Sequence, residues 1–284
     1  MSRSIDPIVS GEWLEARLPD GGLKVLDIRW EEEYQAGHIP GAISVPFAVV
    51  SAWADSDDEL ILELPSREDL LKLAKDCGLT AESQVVIVGR VEPPPAPPYP
   101  LADAVRAAAT LIYIGVENVA VLAGGHAKWA EEGRATTAEV PRIEPVEYRS
   151  AFKDGMFVST DYVKDHIGKS VLVDGRDPDQ YFGVSIDPFA DMRGHIPTAR
   201  SLPTVWVWEA DGTYRPVDLI RSMVAGVIGE DKGQEVITYC GVGGYASTWW
   251  FLLTQLFGYR NVKIYDGSME AWVKDNPIVA YTWS

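Results

Sequence analysis

The chain has 284 residues, 46% hydrophobic and 24% charged, with ten Trp, which is enough apolar material for one large or two medium cores. A formal net charge of −17 argues against nucleic acid or an anionic membrane as partner, because either would repel that field. With only Cys77 and Cys240, a disulfide framework is not expected in a chain of this size. The opening Met1-Ser-Arg-Ser-Ile-Asp-Pro7 lacks the apolar core of a signal peptide, and the run Trp249–Leu256 is too short to span a bilayer. A reducing cytoplasm is the expected location.

In chain order, Leu23–Ile28 reads as a buried parallel strand and leads into Asp27-Ile-Arg29. Gly37-His-Ile-Pro-Gly-Ala42 follows. Ser66 opens a helical pattern with Asp69 three residues on, an approximate capping box, and Cys77 falls at the end of that helix, where the dipole disfavours a thiolate. Val85–Val88 is the next strand. It ends at Gly89, followed by the proline-rich stretch Glu92–Pro100, a helix over Ala102–Ile112, and a strand over Val119–Leu122. Pro141 and Pro145 punctuate a polar stretch between Arg134 and Tyr148.

The pattern then repeats. Val25-Leu-Asp-Ile-Arg29 returns as Leu172-Val-Asp-Gly-Arg176, and Gly37-His-Ile-Pro returns as Gly194-His-Ile-Pro197. Gln84–Gly89 returns as Glu235–Cys240, Gly115–Val119 as Gly258–Val262, and Gly124-Gly125 with Trp129 as Gly267-Ser268 with Trp272. Five blocks in one order make two copies of one α/β domain, divided as residues 1–140 and 141–284. In the second copy the strands are Val171–Val173, Val236–Tyr239 and Val262–Tyr265. A helix covers Ala246–Phe257 and Gly258 stands at its C-terminal cap.

The segment Val236-Ile-Thr-Tyr-Cys240-Gly-Val-Gly-Gly-Tyr-Ala246 carries the chemistry. A buried strand delivers Cys240 to its exit, Gly241, Gly243 and Gly244 allow successive N–H groups to turn inward, and a helix N-terminus follows. Such a nest is expected to hold a thiolate or persulfide and to bring the thiol below its ordinary value of about 8.5. Cys77 is read as structural.

These residues resemble the two-domain thiosulfate and 3-mercaptopyruvate sulfurtransferases, over nearly the whole chain. The shared marks are Asp-x-Arg after the first strand of each copy, Gly-His-Ile-Pro-x-Ala, the glycine-rich loop at Cys240, and Asp266-Gly-Ser-x-x-x-Trp272. The resemblance implies two tandem rhodanese-like domains, each an open, mainly parallel sheet flanked by helices. It implies a persulfide on Cys240 and a first copy without chemistry, where Gly89 stands in the Cys position. Substrate contacts are expected from Arg176, Gly241, Val242, Gly243, Gly244, Tyr245 and Ala246. Asp27 and His38 match members of a proposed proton relay, and Arg193 joins them as a candidate interdomain or relay residue. No cofactor and no metal are implied. The partners are a small sulfur donor and a thiol or cyanide acceptor.

Two departures bear on the donor. Val242 stands where mercaptopyruvate enzymes have a serine and thiosulfate enzymes a basic residue, and Gln180 stands where the family has an arginine. Only Arg176 and Arg193 are left to offset a dianion, so thiosulfate is expected to be a poor donor. Asp27, Arg29 and His38 recur as Asp174, Arg176 and His195, one set in a copy with no loop cysteine to serve, so fold explains the Asp and His residues more simply than catalysis. The loop from Gly89 to Gly115 is eight residues longer than that from Cys240 to Gly258 and reads as an extended surface segment. Ala246 stands six residues after Cys240, where a Cys-x5-Arg phosphatase would need arginine. The alternative to an enzyme is a non-catalytic sensing or partner-binding module on the same fold.

Overall fold

The computed structural model describes residues 3–149 and 151–281. The chain forms two compact units. One comprises residues through Asp55, Leu64–Lys153 and Trp208–Tyr214; the other comprises Ser56–Glu63, Asp154–Val207 and Arg215 onward. Each unit therefore takes in one short segment from the other half of the sequence.

In the first unit the strands are β1 (Ile8–Val9), β2 (Leu23–Asp27), β3 (Ile43–Ser44), β4 (Gln84–Val88) and β5 (Asn118–Leu122), in the order β1-β5-β4-β2-β3. Its helices are α1 (Gly11–Glu15), α2 (Glu31–Ala36), α3 (Arg67–Asp76), α4 (Tyr99–Tyr113) and α5 (Gly125–Glu131). In the second unit β6 (Phe157–Val158), β7 (Val171–Asp174), β8 (Arg200–Ser201), β9 (Glu235–Tyr239) and β10 (Asn261–Tyr265) lie in the matching order β6-β10-β9-β7-β8. They are accompanied by α6 (Thr160–His166), α7 (Pro178–Tyr181), α8 (Val217–Val227), α9 (Gly244–Phe251) and α10 (Ser268–Trp272). Every strand pair is parallel. The near-continuous apolar runs of the central strands follow from this, since both faces of a parallel sheet are covered.

The local signals act as the sequence suggests. Ser66 caps α3, its Oγ accepting the Asp69 N–H at 3.2 Å while its hydroxyl donates to the Asp69 carboxylate at 2.6 Å. Gly258, at φ +75°, supplies the left-handed residue after the helical segment, whose last turn, Leu252–Leu256, is widened to a π-helix. α4 begins at Tyr99, three residues before the expected start, because Pro100 fits the first helical turn, where no N–H partner is needed. Trp249 and Trp250 are core residues whose ring N–H groups donate to Leu202 and Val262 carbonyls. In each sheet the strand order reverses between two central strands, β2 and β4 in one and β7 and β9 in the other. Open α/β sheets bind ligands at the carboxyl end of that junction. In the second unit the junction is occupied by Asp174–Arg176 and Cys240.

Candidate active site

Cys240 leaves β9 and is 3% exposed. Its Sγ accepts the Gly243 N–H at 3.1 Å, and the amides of Ala246 and Val242 also bond to it. Gly243 is required for this turn: its φ of +89° starts α9 in the left-handed region, which side chains resist. Gly241 sits in a tight place, since a Cβ there would lie 3.1 Å from the Phe189 ring and 3.4 Å from the Asp187 carboxylate. Open space lies beside Gly244, while Val242, Tyr245 and Ala246 are buried. The amide nest is thus formed, but its electrostatic outcome differs from the sequence expectation. Burial pushes the Cys240 thiol up, the three amides pull it down, and burial prevails, with Asp174 adding to it.

Behind the loop stands α10. The Ser268 Oγ accepts the Cys240 N–H at 3.1 Å and donates to the Tyr265 carbonyl at 2.9 Å. The N–H groups of Met269 and Glu270 donate to the carbonyls of Cys240 and Gly241 at 3.0 and 3.1 Å. Ser268 achieves this at φ +46°, one of four non-glycine residues with positive φ among those described. Sequence reasoning quoted the block containing Ser268 but attached no role to it.

Arg176 is a buried hub. Its guanidinium donates to Asp174 at 2.6–3.2 Å, to Asp187 at 3.0 Å and to the Gly194 carbonyl at 2.7 Å. Burial opposes its charge, but Asp174, Tyr239 and Asp187 raise its pKa above the ordinary arginine value. Asp187 in turn accepts the N–H groups of Phe189 and Ala190. It lies in a stretch that the first copy lacks, for eighteen residues separate Arg176 from Gly194 where eight separate Arg29 from Gly37. That length difference was the available signal for Asp187. Arg193 is exposed and donates to the Gly183 and Val184 carbonyls. Both cations expected to offset an anionic donor are therefore engaged with protein acceptors.

The first unit repeats the scaffold without the thiol. Arg29 donates to Asp27 at 2.7–3.1 Å and to the Gly37 carbonyl at 2.9 Å. His38 stacks on Tyr34 at 3.7 Å, with Nδ1 at the Tyr34 carbonyl and Nε2 at that of Glu139. His195 stacks on Tyr181 at 3.8 Å with Nδ1 at its carbonyl. Tyr34 and Tyr181 donate to the carbonyls of Ala42 and Ala199, each at 2.7 Å. The same Tyr–His unit in both copies pins the Gly-His-Ile-Pro turn. At Gly89 a Cβ would press to 3.0 Å from Ala104, and at Gly125, the counterpart of Ser268, to 2.4 Å from the Gly89 carbonyl. The serine position is thus closed in the first unit, and the cysteine position is tight. Most of the residues from Pro93 to Tyr99 are exposed. Cys77 ends α3, where burial pushes its thiol up to about 12.

Among the described residues no group of His, Cys, Asp and Glu could hold a metal ion, and no helix is long and apolar enough to cross a membrane. Duplicated parallel sheets, with a glycine-nested cysteine at the switch point of the second, are the arrangement expected of tandem rhodanese-like domains. The Rhodanese-like domain model matches twice, at residues 10–132 and 159–275, and the chain belongs to that family. It is 31% identical to the sulfur carrier protein TtuD of Thermus thermophilus, covering 93% of each chain. It is also 31% identical to a protein of Saccharopolyspora erythraea named "Putative thiosulfate sulfurtransferase", covering 94% of this chain and 93% of that one. Among solved structures it is similar to EanB carrying a cysteine persulfide in a tetrahedral intermediate state with ergothioneine. The TM-score is 0.83 at 25% identity, over 97% of this chain and 71% of that one.

Proposed function

We propose that this protein moves sulfane sulfur through a persulfide on Cys240, with residues 141–284 as the reacting copy and 1–140 as the degenerate one. The observation that carries this reading is the Gly243 N–H held 3.1 Å from Sγ at the head of α9, with the Val242 and Ala246 amides alongside. The Cys240 thiolate attacks the donor's transferable sulfur. The bond from that sulfur to the rest of the donor breaks, and the leaving group departs with the electron pair, as sulfite from thiosulfate or as the pyruvate enolate from 3-mercaptopyruvate. The persulfide rests among the loop amides until a thiolate or cyanide takes the outer sulfur and returns the Cys240 thiolate.

The donor is 3-mercaptopyruvate in preference to thiosulfate. Arg176 is committed to two carboxylates, Gln180 and Val242 bring no charge, and Asp187 places a carboxylate against Gly241. A second reading, a sulfur-sensing or partner-binding module, draws on the deep burial and raised pKa of the same thiol. Mass spectrometry after exposure to each donor separates the two. A gain of one sulfur on Cys240, discharged by cyanide or a thiol, supports transfer; a chain that gains none from either donor is a module.

A further inference from the structure

Residues Ser56–Glu63 lie in the first copy's sequence yet pack within the unit that holds Cys240. They form a self-held turn. The Asp57 carboxylate accepts the N–H groups of Glu59 and Leu60 at 2.7 and 2.8 Å, and the Asp57 N–H donates to the Leu60 carbonyl at 3.0 Å. The Leu62 N–H donates to the Ser56 Oγ at 3.2 Å, with Leu62 at φ +60°. The turn is tied to α10 and the residues just after it. The Ile61 N–H donates to the Glu270 carboxylate at 3.0 Å, and the Lys274 ammonium donates to both the carbonyl and the carboxylate of Glu59 at 3.0 Å.

Glu270 is also the residue whose N–H holds the Gly241 carbonyl, next to Ser268, whose Oγ holds the Cys240 N–H. We infer that the 56–63 strap is a positioning element for the Cys240 loop, acting through Glu270 on the clamp formed by Ser268–Glu270. The inference rests on Cys240 being the reacting group. It gives the degenerate copy a part in the chemistry that its missing cysteine would deny it.

The other unit contains the matching control. Its borrowed segment, Trp208–Tyr214, meets α5 through the Gly124 N–H to Gly212 carbonyl bond at 3.1 Å and the Lys128–Asp211 pair at 2.9 Å. There the clamp position is Gly125 and no thiol stands before it. Straps as such are architecture, since a like route runs from Gly212 through Gly124 and His126 to the Gly89 carbonyl; what is particular to residues 56–63 is that their route, from Ile61 through Glu270 to Gly241, ends on a loop that carries a thiol.

The test is iodoacetamide alkylation of Cys240 against pH, on the full chain in a Cys77→Ser background. Glu270→Ala removes the acceptor for Ile61 and is expected to slow alkylation at pH 8 about fivefold and to move the profile to higher pH, as loss of one hydrogen bond implies. Glu270→Gln keeps an acceptor oxygen and should stay within about twofold of wild type. Ser268→Gly relieves the backbone conformation while deleting the Oγ, and should slow alkylation like Glu270→Ala. Lys128→Ala should change nothing. A wild-type profile in Glu270→Ala would overturn the inference, as would an equal loss in Lys128→Ala. If circular dichroism shows that Glu270→Ala is unfolded, Lys274→Ala, which releases Glu59 of the strap, decides: slowed alkylation supports the inference and a wild-type profile overturns it. Alkylation reads the thiol and not sulfur transfer. A chain that moves no sulfur yet shows these shifts would refute the proposed function and leave the strap only as a support of the Cys240 loop, with no part in a reaction.

Discussion

The Cys240 N–H meets the Ser268 Oγ at 3.1 Å, and Ser268 holds a φ of +46° to make that contact. A non-glycine residue in the left-handed region costs about 1–3 kcal/mol and persists where its surroundings over-determine it. Here those surroundings are the Tyr265 carbonyl and the backbone of the Cys loop. In the first copy the same position is Gly125 at φ +53°, which meets no such cost and serves no thiol.

Replacing Cys240 by Ser is expected to leave the fold intact and reduce sulfur transfer to below about one per cent, because only the thiolate can carry the sulfur. Cys77→Ser should retain most activity, since that thiol is buried at the end of α3. Donor turnover and the persulfide mass gain, measured on both variants, check the assignment. A comparable loss in Cys77→Ser would overturn it.

Burial outweighs the loop amides at Cys240, so its thiol ionises above the ordinary value of about 8.5. The thiolate fraction, and with it persulfide formation, should still be climbing as pH passes that value. Rates of alkylation and of sulfur loading between pH 6 and 10 measure this. A midpoint below the ordinary value would mean that the amides prevail.

Thiosulfate should be the poorer donor. Each missing charge-assisted hydrogen bond is worth roughly 1.5–3 kcal/mol, so the two absent partners imply about 10²–10⁴ in kcat/KM. Gln180→Arg should recover part of this for thiosulfate, and Val242→Ser should favour 3-mercaptopyruvate. The check is kcat/KM for both donors in each variant, and wild-type preference for thiosulfate would be the contrary result.

Arg176→Ala should destabilise the protein by about 3–5 kcal/mol, because it strands the buried carboxylates of Asp174 and Asp187 without their counter-charge. Arg29→Ala strands only Asp27 and should cost less. Urea denaturation gives both values, and equal losses would show that Asp187 does not depend on Arg176.

His126 supplies an acid-sensitive element. Burial, followed by the nearby Arg29, lowers its pKa to about 4, and its Nε2 has no hydrogen-bond partner. The unfolded chain, with a histidine pKa near 6.5, therefore binds the proton first as pH falls. Stability contributed by neutral His126 is complete above about pH 6.5 and is lost progressively down to about pH 4. Allowing for partial exposure, the loss is about 1–2 kcal/mol. His126→Gln should flatten the decline in Tm between pH 7 and 4.5; an unchanged slope would place the acid sensitivity elsewhere.

What the sequence determined by itself was whatever is encoded locally and twice. Apolar runs fit strands buried on both faces, Ser66 and Gly258 set helix ends, and the glycines after Cys240 allow a turn that other residues resist. The duplication separated architecture from chemistry, since the Asp-x-Arg and Gly-His-Ile-Pro blocks recur while only the second copy has a cysteine at the end of its central strand. Tertiary structure decided the rest, because it depends on which distant groups the folded chain brings together. Ser268 reaches Cys240 across 28 residues, and Ile61 reaches Glu270 across 209. Asp187 takes a donor of Arg176, a guanidinium that sequence reasoning had assigned to substrate. The thiol's ionisation belongs to the same class. Glycine spacing predicted the amides that stabilise its charge, but only the packing around Cys240 sets the desolvation that outweighs them.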